Sequence, residues 1–207
     1  MIVIKNTMDN KIYEGQSYYN VKLTKIIFAI TFTFLIAISA NIFIYIPVTP
    51  VPLTVQTMTV LLAAILLGKK YAFLSTSLYI IAGLAGLPVF AGLKSGITVI
   101  AGPTGGYIIG FLASSYITAS IYEKFSGSKK VKLFSAFLSC ITGLFCIYLF
   151  GYIHIFGLIL TSSIRMNPGN IFVYAFDLAV KPFILIDIIK ILLIADTSVL
   201  LNKKDNR

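Results

Sequence analysis

The sequence predicts an all-α integral membrane protein that crosses the bilayer six times. Of its 207 residues, 58% are hydrophobic and only 12% are charged, and the mean hydropathy is +0.94. A soluble domain has about one-quarter charged residues, so these polar groups could not cover a surface that faces water. Long apolar runs alternate with basic or proline- and glycine-rich connections, as in helical membrane proteins. The composition therefore disfavours a soluble enzyme, a disordered chain and, despite the net charge of +10, a protein that binds nucleic acid.

The first apolar run, 26–46, follows a polar segment, 1–25, which we expect to be a cytoplasmic N-terminal tail. Its length is close to the ~20 residues that a helical span needs. A cleaved signal peptide is the alternative, but the polar arm is long and further spans follow, so a retained helix is favoured.

Five more spans follow by the same criterion. Gly68 and two lysines end the second span, Pro88 ends the third, and Pro182 starts the sixth, where proline fits the first helical turn. Residues 203–207 form a short cytoplasmic C-terminal tail. The predicted transmembrane domain covers 26–202, with spans at about 26–46, 54–67, 71–87, 103–122, 133–161 and 182–201.

The orientation follows from the lysines and arginines of the connections. Thirteen lie on the side of both chain ends, and only Lys94 and Arg165 lie on the other side. Positive residues accumulate on the cytoplasmic side, so both termini are predicted to be cytoplasmic. The outer connections, within 46–52, 87–102 and 162–180, are apolar, and we expect them to fold back as a lid over an outward-facing cavity.

Two ionisable residues interrupt the sixth span. Asp187 and Lys190 are three residues apart and share a helix face, at a depth where a charge costs roughly 2.5–3.5 kcal/mol on insertion scales. They either neutralise each other or contact a ligand, and the second interpretation is favoured because intramembrane charge usually marks a site. Asp177 and Lys181, at the outer edge, are interpreted as a surface pair.

A glycine-rich block opens the fourth span. Gly102, Gly106 and Gly110 are spaced by four, which allows close contact between helices. The same backbone at a helix start can present N–H groups to a ligand carbonyl or carboxylate, and both interpretations can hold together. Tyr107 in this block offers an aromatic ring and a hydroxyl.

Three other features of the sequence bear on function. Ala29, Thr33 and Ala37 form a small-residue stripe on the first span, which serves either internal packing or a partner subunit. His154, the single histidine, is interpreted as a packed residue rather than a proton relay. The segment 86–95 fails as a phosphate-binding loop because its spacing is wrong and no strand precedes it, so uphill transport would need another subunit or an ion gradient.

Taken in order, several motifs resemble the BioY family, the biotin-specific substrate-binding (S) components of energy-coupling factor (ECF) transporters. The resemblance extends from the first span to the sixth. Its motifs are Pro47-Val-Thr-Pro50-Val-Pro52 with Gln56-Thr57, Leu66-Leu67-Gly68, Gly83-Leu-Ala-Gly86-Leu87-Pro88-Val89-Phe90, Gly102-Pro103-Thr104-Gly105-Gly106-Tyr107 and Asp187-Ile-Ile-Lys190.

The resemblance implies an ECF S-component-like bundle that captures biotin near the outer face of a bacterial plasma membrane. It implies an ECF transmembrane coupling protein and ATPase subunits as partners, no cofactor, no metal and no enzymatic activity. The first-span stripe would contact the coupling protein, although Thr33 replaces the usual alanine. Ile186 stands where the family often has glycine. The implied biotin-binding residues are Asp187, Lys190, Tyr107 and Gly102. We add Gly106, Phe90, Pro88 and Gln56 of the same motifs as predicted biotin contacts.

Biotin has polar groups that these residues can meet. Asp187 can accept hydrogen bonds from the ureido N–H groups, Lys190 can meet the ureido carbonyl or the carboxylate, and Phe90 and Tyr107 can enclose the apolar part. Two alternatives remain open, an S component for another vitamin and an autonomous ion-coupled carrier with Asp187 as the proton site. An intramembrane enzyme is disfavoured because no second carboxylate or histidine accompanies Asp187.

Overall fold

The computed structural model describes the backbone of residues 2–126, 129–162, 164 and 169–204, and the side chains of 21–126, 132–162, 164 and 169–197. Within these ranges the chain is mostly helical, with one two-stranded antiparallel ribbon. The elements are α1 (Ile2–Ala40), β1 (Phe43–Ile44), β2 (Leu53–Thr54), α2 (Gln56–Leu67), α3 (Lys69–Leu84), α4 (Ile97–Ala101), α5 (Gly105–Phe125), α6 (Lys129–Leu160), α7 (Ile171–Ala179) and α8 (Ile184–Lys204).

The first helix differs from the prediction at both ends. It begins at Ile2 rather than residue 26, so residues 2–25 of the polar segment belong to the same helix; no proline interrupts residues 2–40. It ends at Ala40 rather than residue 46, where the Asn41 side chain donates to the Ala37 carbonyl. The following residues pair as a ribbon, with Phe43 opposite Thr54 and Ile44 opposite Leu53.

Glycine conformation explains the differences around the third and fourth predicted spans. Gly68 (φ 75°) separates α2 from α3, which therefore begins at Lys69 rather than residue 71. Gly86 (φ 100°) follows the end of α3 at Leu84, three residues before the predicted end. Gly102 is extended and separates the short helix α4, which was not predicted, from α5. The second, fifth and sixth spans start at Gln56, Lys129 and Ile184.

The segment 162–180, predicted as an outer loop, contains helix α7. Asn170 caps it, because its side chain accepts a hydrogen bond from the Phe172 N–H at 2.9 Å. Thr49 Oγ1 donates to the Leu178 carbonyl at 2.8 Å, which joins the connection after α1 to α7. The described parts of these two connections therefore fold back onto the protein and onto each other. Arg165, and the side chains of residues 1–20 and 203–207, lie outside the described residues.

The helices pack in one bundle around α2, which contacts α1, α3, α5, α6 and α8. Buried residues of α2, α6 and α8, including Cys140 and Ile191, form one core cluster. A second cluster, with Tyr79, Phe111 and Ile147, includes residues of the outer connections. Large apolar side chains such as Phe34, Phe145 and Leu185 are exposed on the outside of the bundle, as expected where lipid is the solvent.

Each predicted span overlaps one helix of the bundle. Two segments, Val21–Ala40 and Lys132–Leu160, have the length and composition that a membrane span requires. Gln56–Leu67 is apolar but shorter. The crossing of the bilayer by six helices stays a prediction.

Candidate functional site

A cavity of about 310 Å³ lies between the ribbon, the segment 91–107 and helices α3, α5, α6 and α8. Its volume is at the lower end of the range for small-molecule sites. Fifteen of its 24 lining residues are aromatic, aliphatic or proline, and the others include four threonines and three charged residues. The lining residues are Tyr45, Pro50, Val51, Pro52, Leu53, Thr54, Gln56, Thr57, Tyr79, Ala91, Lys94, Thr98, Val99, Gly102, Pro103, Thr104, Tyr107, Ile108, Phe111, Ile147, Tyr148, Phe183, Asp187 and Lys190.

A buried ion pair on α8 lies in the wall of this cavity. Lys190 Nζ is 2.6 Å from Asp187 Oδ1, and the two residues are only 8% and 4% exposed. The helix itself brings them together, because residues three apart lie on one face. Both therefore contact the space in which a ligand would bind, as well as each other.

Two further groups form hydrogen bonds with this pair. The Tyr148 hydroxyl on α6 donates to Asp187 Oδ2 at 2.8 Å, and Lys190 Nζ donates to the Thr54 carbonyl at 2.7 Å. Neither Tyr148 nor Thr54 was predicted. In a helix that is apolar on all sides, the sequence does not show which face a tyrosine lies on. A backbone carbonyl is present in every residue, so the residue type does not mark it as an acceptor.

Tyr107 lines the cavity with its ring, but its hydroxyl is already bonded. The hydroxyl donates to the Ala179 carbonyl at 2.6 Å, at the end of α7. The ring centroid lies 6.0 Å from that of Phe183 at an interplanar angle of 60°. Tyr107 thus offers an apolar wall and fixes α5 against the segment that leads into α8.

Gly102 also lines the cavity, and both of its backbone groups have partners. Its N–H donates to the Thr98 carbonyl at 3.0 Å. Its carbonyl oxygen lies 2.9 Å from His154 Nε2 and accepts from the Gly105 N–H. The hypothesis of a free glycine N–H for the ligand therefore does not hold at Gly102. His154 is a packed residue that fixes this part of the wall.

Gln56, at the start of α2, is buried and lines the cavity beside Tyr79. Gln56 Nε2 and the Tyr79 hydroxyl have no partner within normal hydrogen-bond geometry. Buried polar groups are rarely left in this state. The two groups lie close enough to interact with each other, and no other group of the described residues bonds to either atom.

The other three residues implied as biotin contacts lie outside the lining. Phe90 is fully buried and packs edge-on against Tyr79, with ring centroids 5.5 Å apart. Gly106 lies against α6, where an added Cβ would collide with the Phe150 carbonyl. Pro88 is exposed in a bend. Phe90 and Gly106 therefore support the wall from behind rather than forming it.

The small-residue stripe of α1 faces the inside of the bundle. Ala29 has no exposed surface. Thr33 Oγ1 donates to the Ser75 carbonyl on α3 at 3.0 Å, and Ala37 packs against the core. These contacts show internal packing, and because Thr33 and Ala37 stay partly exposed, contact with a partner subunit stays a prediction.

The polar and charged side chains of the cavity can form hydrogen bonds and ion pairs with a ligand. Among the described residues, no three His, Cys, Asp or Glu side chains are placed to share a metal ion. The exposed pair Asp177–Lys181, 2.9 Å apart, is a surface pair outside the lining, as predicted.

Comparison with known families identifies the chain. The model of the BioY family matches residues 10–206. The chain belongs to the BioY family. A probable biotin transporter BioY of Pyrococcus horikoshii is 42% identical over 141 residues, which cover 68% of this chain and 74% of that protein. The biotin transporter BioY of Thermotoga maritima is 46% identical over 93 residues, 45% of this chain and about half (54%) of that protein.

A solved structure shares the fold. The crystal structure of an S-component for biotin from an ECF-type ABC transporter superposes on the chain with a TM-score of 0.73 and 26% sequence identity. The match covers 89% of this chain and 93% of the other. This BioY-family chain therefore has the fold of an ECF S component, and its family is one of transport subunits rather than enzymes.

Proposed function

We propose that this chain is the biotin-binding subunit of a vitamin uptake transporter, with biotin bound in the cavity beside α8. The observation that carries the proposal is the buried Asp187–Lys190 pair in the wall of a cavity lined mainly by aromatic and aliphatic residues. Its relatives are named biotin transporters, and the solved structure is a biotin S-component. Asp187 accepts from the ureido N–H groups, Lys190 donates to the ureido carbonyl, and aromatic residues such as Tyr107 enclose the apolar rings.

We further propose that six helices, α1, α2, α3, α5, α6 and α8, cross the plasma membrane with both termini in the cytoplasm. The distribution of lysine and arginine supports this orientation, and the exposed apolar residues of α1, α6 and α8 support the membrane contact. The cavity then opens towards the outer face, and the chain delivers biotin inward when it is joined to an ECF coupling protein and ATPase subunits. The sequence contains no phosphate-binding loop, which supports the need for such partners.

The direct test is calorimetry on the purified protein in detergent, with biotin as ligand and thiamine and riboflavin as controls. We expect biotin alone to bind. Asp187→Asn keeps the shape but removes the charged acceptor, and a hydrogen bond to a charged group contributes about 1.5–3 kcal/mol, or roughly 10- to 150-fold in affinity. Asp177→Asn, which alters an exposed pair outside the cavity, is the matched control and should bind like the parent.

Binding of thiamine or riboflavin in place of biotin would support an S component for another vitamin. Equal biotin affinity in folded Asp187→Asn and the parent would show that the site is wrong. An autonomous carrier with Asp187 as its proton site predicts uptake in cells that lack ECF ATPases, abolished by an uncoupler. The proposed function predicts no such uptake.

A further inference from the structure

A groove on the outside of the bundle, where α1 meets the end of α2, is not used by the function described above. Its volume is about 420 Å³, and it shares no lining residue with the cavity beside α8. One wall is a single face of α1, because its residues recur at helical spacing, and the other wall is the last turn of α2. The lining residues are Val21, Thr24, Lys25 and Phe28 of α1, and Leu66 and Leu67 of α2.

Two lysines share one aromatic ring at the edge of this groove. Lys25 Nζ lies 5.8 Å from the centroid of the Tyr71 ring, and Lys70 Nζ lies 6.0 Å from the same centroid. Both distances are within the reach of a cation–π contact. Like charges that are held close together repel each other, so the arrangement favours an anion that contacts both ammonium groups.

The charge of this lysine pair is not neutralised by the described residues. Their ion pairs include neither Lys25 nor Lys70. Glu123, which reaches the α2–α3 turn from α5, is already engaged: it accepts from the Lys69 N–H at 3.0 Å and lies 3.6 Å from Lys69 Nζ. The two lysines therefore offer their charge to an external anion.

Apolar surface lies directly beside the two lysines. Phe28 is 51% exposed and Leu66 is 44% exposed. The apolar run of α1 begins after Lys25, and that of α2 ends at Leu67, just before the lysines of α3. Because Lys25 and Leu67 line the same groove, both chains change from basic to apolar at one level. A phospholipid with a negative headgroup has the same order of charged and apolar parts.

We propose that this groove binds an anionic phospholipid of the cytoplasmic leaflet. Lys25 and Lys70 pair with the phosphate, and one acyl chain lies along Phe28 and Leu66. The lipid thereby joins α1 to the α2–α3 turn. The proposal uses the membrane orientation proposed above but not biotin binding, so the two can fail separately.

The chain contains no tryptophan, so Tyr71→Trp introduces a single fluorophore and keeps an aromatic ring beside both lysines. The protein is reconstituted in phosphatidylcholine bilayers. Brominated phosphatidylglycerol, which is anionic, or brominated phosphatidylcholine then quenches the fluorescence when it lies beside the ring. One lysine near a membrane surface is worth about fivefold in affinity for an anionic lipid. Two lysines should therefore favour phosphatidylglycerol by roughly 10- to 25-fold at this reporter.

Phe125→Trp is the matched reporter. Phe125 is exposed at the end of α5, and Lys124 Nζ lies 5.5 Å from its ring, so it has the contact of lysine and ring without the groove. We expect a preference of at most about fivefold there. Lys25→Gln/Lys70→Gln should abolish the preference at Tyr71→Trp and leave the one at Phe125→Trp unchanged, and Lys124→Gln should do the reverse. The double variant should keep the Tm of the parent, because both lysines are exposed.

Equal quenching by the two lipids at Tyr71→Trp, or a preference that survives Lys25→Gln/Lys70→Gln, would overturn the proposal. A groove that takes an acidic protein segment instead of a lipid would give the first of these results. Glycerol 3-phosphate, added at constant ionic strength, should not reduce the preference for phosphatidylglycerol. If it does, the two lysines bind a free phosphate and the role of the apolar groove is wrong.

Discussion

Replacing Lys190 by methionine separates the structural role of the ion pair from its role in ligand binding. The change keeps the apolar stem of the side chain but leaves Asp187 without its cation and the Thr54 carbonyl without its donor. Breaking a buried pair in this way costs about 3–5 kcal/mol. The Tyr148 hydroxyl still donates to Asp187 Oδ2, and the cavity admits water, so we expect the lower end, about 3 kcal/mol. For a chain of this size that lowers Tm by roughly 6–12 °C.

The double variant Asp187→Leu/Lys190→Met removes both charges together. Replacing a whole buried pair by apolar residues is often neutral for stability. We therefore expect Tm to return to within a few degrees of the parent, whereas biotin binding stays lost. Stability that recovers without binding would assign the pair to the ligand rather than to the fold.

The chain itself supplies a reporter for this measurement. It contains no tryptophan, but Cys140 is buried in the core and reacts with a fluorogenic maleimide only when the bundle opens. A Cys146→Ser background leaves Cys140 as the single thiol. An unchanged Tm in Lys190→Met would refute the burial of the pair. Parent-like biotin affinity in the double variant would refute its role in binding.

Two further substitutions test the surroundings of the pair. Tyr148→Phe removes the hydrogen bond to Asp187 Oδ2, so calorimetry should show biotin weakened roughly tenfold; unchanged affinity would show that the hydroxyl does not orient the carboxylate. Gly106→Ala places a Cβ against the Phe150 carbonyl, and such overpacking should lower the free energy of unfolding by about 1–3 kcal/mol. Gly157→Ala, where the added Cβ meets nothing within 4 Å, should leave Tm unchanged, and equal Tm values for the two variants would contradict the close contact of α5 with α6.

The part of the site that lies on one helix could be predicted from the sequence. Asp187 and Lys190 stand out because charge is costly in an apolar run, and their spacing alone places them on one face. Gln56, Tyr107 and Gly102 were found through family motifs, and they do line the cavity.

A family motif, however, does not separate residues that touch a ligand from those that support the wall. Phe90 and Gly106 lie in the motifs but pack behind the cavity. Tyr148 lies in no motif and yet bonds to Asp187. Which face of α6 meets α8 depends on the packing of the whole bundle, which no local pattern encodes.

The missed elements of the fold have local explanations. Helix α7 has only nine residues and is mostly apolar, so its sequence pattern does not distinguish a helix from an apolar loop. Asn170 before it is, however, a typical helix cap. The sequence analysis assigned no helix to the polar N-terminal segment, but polarity does not stop a helix that is already formed at Ile26 and meets no proline; its place as a cytoplasmic tail stays a prediction.

The two donors on Asp187 have a consequence for how a solute enters. A carboxylate has about four lone-pair positions, and Tyr148 and Lys190 occupy one on each oxygen. The carboxylate is thereby held in one orientation in the wall of the cavity, and each oxygen keeps a further lone-pair position. Under the proposed function, a solute with N–H groups that reach those positions costs the protein little freedom on binding, and a solute without them is expected to bind more weakly.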